Sequence, residues 1–143
     1  MSARTKARKR ALDILFEADS KGVPIAGVLA EHIRRRAAAG EPELNPHTVA
    51  LVEGVIREQD SVDSVVESAA REWSLDRMPD VDRAILRIGA YEILFADDVP
   101  TAVAISEAVQ LATSLSTDES PAFINGVLSG VASSLAGEAS PTD

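Results

Sequence analysis

Apolar residues recur along this chain at intervals of three and four, and strict period-two alternation is never sustained over the length of a strand. From about Ala3 to Asp19, Ala11, Leu12, Leu15, Phe16 and Ala18 form an i, i+3, i+4, i+7 stripe, with Asp13 and Glu17 on the opposite face. Gly22, just past Lys21, fits the left-handed residue that commonly ends a helix. A second helix, from about Pro24 to Ala38, carries Ile25, Val28, Leu29 and Ile33 on one side. Its last turn holds Arg34, Arg35 and Arg36, where the helix dipole favours cations. After a loop at Gly40-Glu41-Pro42-Glu43, Asn45-Pro46 reads as an N-cap followed by proline in the first turn. A long helical stretch then runs to about Ala70 through Val49, Val52, Val55, Ile56, Val62, Val65, Val66 and Ala69, with a bend expected near Gln59-Asp60-Ser61. Trp73 to Pro79 is a connector holding one helical turn at most.

The segment from about Asp80 to Ala96 is apolar almost all round, which places it at the centre of a bundle. Asp97-Asp98-Val99-Pro100 stops it. The next stripe is Ala104, Ile105, Ala108, Val109, Leu111, Ala112 and Leu115. Ser120-Pro121 then reads as a cap and first turn of a last helix reaching about Leu135. Asn125-Gly126 is a strong hairpin cue, but its flanks do not alternate, so the helical reading wins. Gly126 and Gly130 then share a face and permit close packing. The expectation is an all-α fold of two packed helical subdomains, with about six to seven helices. Residues 1–72 form the first subdomain, 73–136 the second, and 137–143 a disordered tail.

Composition narrows the function. At 143 residues, 45% apolar and 26% charged, the chain suits a globular domain. It has no cysteine, which fits a reducing cytoplasm, and no apolar run long enough to span a membrane. Its two histidines, His32 and His47, lie in different segments without a second ligand at helical spacing, and no phosphate-binding or nucleophile motif occurs. No enzyme activity and no cofactor are expected. The net charge of −9 changes the picture less than its distribution does. Arg4, Lys6, Arg8, Lys9 and Arg10 fall in the first ten residues, ahead of all 23 acidic side chains.

A basic tip on an acidic body steers nucleic acid to one end. On a helix, Arg4 and Arg8 project on the same side as the apolar stripe, and Lys6 and Arg10 on the other. Charge on all sides implies that these first turns project beyond the core or order only on binding. Phe16 and Phe123 are the candidate stacking surfaces. Glu92, placed among apolar neighbours, needs a partner such as an arginine or a helix-start amide. Arg83 and Arg87 share a more polar face of the central helix and could reach solvent.

Specific runs carry a resemblance. Ala7-Arg8-Lys9-Arg10-Ala11 leading to Leu15-Phe16, Asp82-Arg83-Ala84-Ile85-Leu86-Arg87-Ile88 with Tyr91-Glu92, Val99-Pro100 through Ala104-Ile105-Ser106-Glu107-Ala108 to Leu111-Ala112, and Asp118-Glu119-Ser120-Pro121-Ala122-Phe123-Ile124-Asn125-Gly126-Val127-Leu128 resemble the NusB family. The resemblance implies a transcription antitermination factor of two helical subdomains. Its partners would be single-stranded boxA RNA of ribosomal RNA leader transcripts, the ribosomal protein NusE, other Nus factors and RNA polymerase. RNA contacts would map to Arg4, Lys6, Arg8, Phe16, Arg87 and Phe123. NusE-facing positions would be Asp76, Asp82, Thr101, Asp118 and Glu119, an acidic set suited to a basic protein.

Thr5, Leu115 and Thr101 depart from residues found in relatives, the first two at RNA-contact positions and the third at the partner surface. NusB-like domains also occur fused to RNA cytosine methyltransferases, a reading that needs a further domain and a catalytic cysteine. The remaining alternative is a helical protein–protein adaptor without intrinsic RNA binding. Monomer and homodimer both stay open.

Overall fold

The computed structural model describes residues 2–71 and 73–139, with side chains described as far as residue 135. Seven α-helices and one short 3-10 turn account for the described chain: α1 (Ala3–Lys21), α2 (Ile25–Ala38), α3 (Pro46–Arg57), α4 (Gln59–Ala70), the 3-10 turn Leu75–Arg77, α5 (Asp80–Phe95), α6 (Thr101–Leu115) and α7 (Ser120–Ala139). No helix among the described residues is long and apolar enough to cross a membrane. The tail expected at 137–143 is helical to Ala139, and residues 140–143 lie outside the described chain.

Local chemistry sets the ends of these helices. Ser2 caps α1 by accepting a 3.1 Å hydrogen bond from the Thr5 amide, so the basic segment is folded from its third residue. Gly22 closes α1 in the left-handed conformation at φ 64°, and its amide returns to the Ala18 and Asp19 carbonyls. Asn45 caps α3 through a 2.8 Å bond from the His47 amide, with Pro46 in the first turn. The bend expected near Gln59 is a break at Glu58, where α3 ends and α4 begins without a side-chain cap. Ser120 does not cap α7; it is the first helical residue and its hydroxyl turns toward Asp82.

Helix α5 lies at the centre and packs against α1, α3, α4, α6 and α7. Its own residues Ala84, Ile85, Leu86 and Ala90 are completely buried. Helix α4 reaches across to α7, so one continuous core joins the segments before and after the 3-10 turn. Two glycines allow the closest approaches to and from α5. A Cβ at Gly54 on α3 would lie 2.2 Å from the Tyr91 ring, and one at Gly89 on α5 would lie 2.6 Å from a Leu128 methyl. The paired role expected for Gly126 and Gly130 holds at Gly130 alone, which faces Ala69; Gly126 has nothing within 4 Å of its Cβ position. The edges differ from the amphipathic pattern in one respect: Phe16, Ile33 and Leu115, each assigned to an apolar stripe, are exposed.

Candidate nucleic-acid interface

Arg8, expected to meet RNA, lies inside the protein. It is 4% exposed and Glu92 is 3% exposed. Its Nε and Nη2 donate to the two carboxylate oxygens of Glu92, both at 2.9 Å, and Nη1 donates to Glu107 at 2.9 Å. Thr5 adds a hydroxyl bond to the same Glu107 oxygen. Burial opposes the charge on Arg8, but the hydrogen bonds and charges of Glu92 and Glu107 outweigh it and hold the guanidinium pKa above its ordinary value. The fork that would grip a phosphate is therefore engaged inside the protein, where it ties α1 to α5 and α6. The first turns of α1 do not project beyond the core as expected, because the side of the helix carrying Arg8 is the buried side.

Arg87, also expected to meet RNA, is buried as well. It is 7% exposed and donates to both oxygens of Asp63, at 2.8 and 3.0 Å, with Asp19 at 3.3 Å from Nη1. Here too burial is outweighed, by Asp63 first and Asp19 second, and the pKa is raised. Arg83 does not reach out either. It donates to the Leu75 and Met78 carbonyls at 2.8 and 2.9 Å and bridges Asp19 and Asp80, fastening the 3-10 turn onto α5. Asp82, expected to face the protein partner, is 3% exposed and accepts from Ser116 at 2.5 Å and Ser120 at 2.9 Å. It staples α5 to the α6–α7 turn.

The other expected residues are accessible to different degrees. Arg4 is half-buried, with Nη2 on Asp98 at 2.7 Å and Nε on His47 Nε2 at 3.2 Å. The bond from Arg4 holds the Asp98 carboxyl below its usual range. Lys6 and Arg10 are exposed, and neither forms an ion pair among the described residues. Both line a groove of about 470 Å³ with Arg36 and the α2–α3 loop. Phe16 stands 38% exposed on α1.

Phe123 is half-buried and tilted against Trp73, ring centres 6.3 Å apart. These two rings line a pocket of about 230 Å³ together with Glu119 and, at its inner side, Asp82. The structure thus brings Phe123 together with the acidic α6–α7 turn, while Lys6 and Arg10 belong to a different groove. Asp76, Thr101, Asp118 and Glu119 are all exposed.

Sequence reasoning missed Arg36 and Trp73 as neighbours of the site. Arg36 was read only as a dipole-compensating cation, and its place beside Lys6 depends on how α2 crosses α1. Trp73 sat in a connector without periodicity, and its exposure beside an acidic turn was not encoded locally.

A helical bundle with a basic groove along its first helix and an acidic turn between its last two defines an all-α protein with separate charged surfaces. The chain belongs to the NusB family, whose sequence model it matches over residues 5–133. A transcription antitermination protein NusB from Beutenbergia cavernae is 54% identical over 134 residues, covering 90% of this chain and 88% of that one. One from Clavibacter sepedonicus is 52% identical over 139 residues, covering 95% and 100%. The NusB structure from T. maritima superposes with a TM-score of 0.78 at 26% identity, covering 93% of this chain and 92% of that one. A crystal structure of the antitermination factors NusB and NusE with dsRNA matches with a TM-score of 0.76, covering 92% and 96%; at 24% identity it speaks to the fold alone.

Proposed function

We propose that the protein is a transcription antitermination factor that binds boxA RNA of ribosomal RNA leader transcripts together with the ribosomal protein NusE, within a Nus complex on RNA polymerase. The observation that carries the reading is the family match across residues 5–133, with relatives above 50% identity that bear the antitermination name. The charge layout supports it. RNA phosphates meet Lys6 and Arg10 on an otherwise acidic molecule, and Phe16 and Phe123 offer aromatic faces to unstacked bases. Asp76, Thr101, Asp118 and Glu119 form the surface offered to NusE, where acid suits a basic ribosomal protein. Arg8 and Arg87 act from inside, by holding α1 and α5 in place.

The test is a titration of labelled boxA RNA with the purified protein, alone and with NusE, at low and physiological salt. Binding that weakens steeply with salt and strengthens with NusE supports the reading. NusE binding without any RNA binding, in either condition, replaces it with a helical protein–protein adaptor.

A further inference from the structure

The groove beside α1 has a third cation. Lys6 and Arg10 stand one helical turn apart on α1, and Arg36, from the last turn of α2, closes the same groove with Asn45 and Pro46 on the far wall. Arg36 is already held in place. Its Nε donates to the Pro42 carbonyl at 2.8 Å, and Nη1 lies 3.7 Å from Glu41, while Nη2 makes no bond among the described residues. A guanidinium fixed by its own loop loses little side-chain freedom when an anion arrives. On the other side of α1 the arginines are engaged: Arg4 pairs with Asp98, and Arg8 with Glu92 and Glu107.

We propose that a single-stranded RNA backbone continues from α1 across the α2–α3 loop through this groove, with Lys6, Arg10 and Arg36 each meeting a phosphate. The inference rests on the RNA-binding reading and deepens it by naming the path of the strand. No aromatic residue lines the groove, so contact there is with the backbone and carries no base information. Glu43 is the one acidic side chain in the lining. It opposes the strand, which gives the path a signature of opposite sign.

The experiment is a salt series with labelled single-stranded oligoribonucleotides, one boxA and one scrambled, against Lys6→Gln, Arg10→Gln, Arg36→Gln and Glu43→Gln proteins. Each of the first three is expected to lower the slope of log affinity against log salt by about 0.7 for both RNAs, the value for one single-strand phosphate contact. Glu43→Gln is expected to raise affinity for both. Arg36→Lys keeps the charge without the Pro42 bond, so retention of the slope in that variant separates phosphate contact from loop support.

The path is overturned if Arg36→Gln and Glu43→Gln bind like wild type while Lys6→Gln loses slope; RNA binding would then stand, confined to α1. A wild-type protein that binds neither RNA at any salt overturns the RNA reading and the path with it.

Discussion

At the scale of single residues, the decisive pair is Arg8 with Glu92. Both halves of it were visible in the sequence: Glu92 among apolar neighbours required an arginine or an amide, and Arg8 fell on the apolar side of α1. Their partnership spans 84 positions, and no local pattern encodes which helix faces which. The same gap hid Asp63 from Arg87 and Ser116 from Asp82.

Removing one partner of a buried ion pair leaves the other charge uncompensated, at a cost of about 3–5 kcal/mol. Arg8→Ala is therefore expected to lose stability of that order in urea denaturation, and an unchanged midpoint would refute the structural role given to Arg8. Glu17 supplies a pH effect. Hydrogen bonds from His32 and Lys21 lower its pKa from 4.5 to about 2. Because the folded value lies below the unfolded one, the stabilisation is complete above about pH 4.5 and is lost as pH falls toward about 2. Glu17→Gln should flatten the acid limb of a stability-versus-pH profile in that window, and an unaltered limb would place the acid sensitivity on other carboxylates.

Among the elements, helical periodicity located the helices, with α3 and α4 read as one bent stretch, and the nearly all-round apolar surface of α5 identified the central one. The same surface led to a misjudgement of Arg83 and Arg87. Most of α5 is enclosed by its neighbours, and its two arginines find carboxylates and carbonyls there. Close packing around α5 also makes the glycines unequal. Gly54→Ala drives a methyl into the Tyr91 ring and should cost about 1–3 kcal/mol. Gly126→Ala meets open space and should gain up to about 1 kcal/mol from helix propensity. Thermal melts of the two variants should move in opposite directions; a shared direction would mean that the packing of α3 on α5 is looser than described.

For the molecule as a whole, the segments before and after Trp73 share one core. Helix α1 packs on α5, and α4 packs on both α5 and α7. We expect one cooperative unfolding transition, with far-ultraviolet circular dichroism and Trp73 fluorescence coinciding, whereas separated transitions would restore two independent subdomains. Charge is organised at this scale too. The uneven distribution of cations was plain in the sequence, but which of them face solvent depended on the packing of α1. That packing withdraws Arg8, occupies Arg4, and leaves Lys6 and Arg10 outside.

The central claim, RNA recognition by a NusB-family bundle acting with NusE, is tested most directly by competition. Labelled boxA RNA bound by the protein and NusE at physiological salt is challenged with unlabelled boxA or scrambled RNA. Displacement by boxA at much lower concentration than by scrambled RNA is the predicted result. Equal displacement by both, or no complex to displace, would contradict the account.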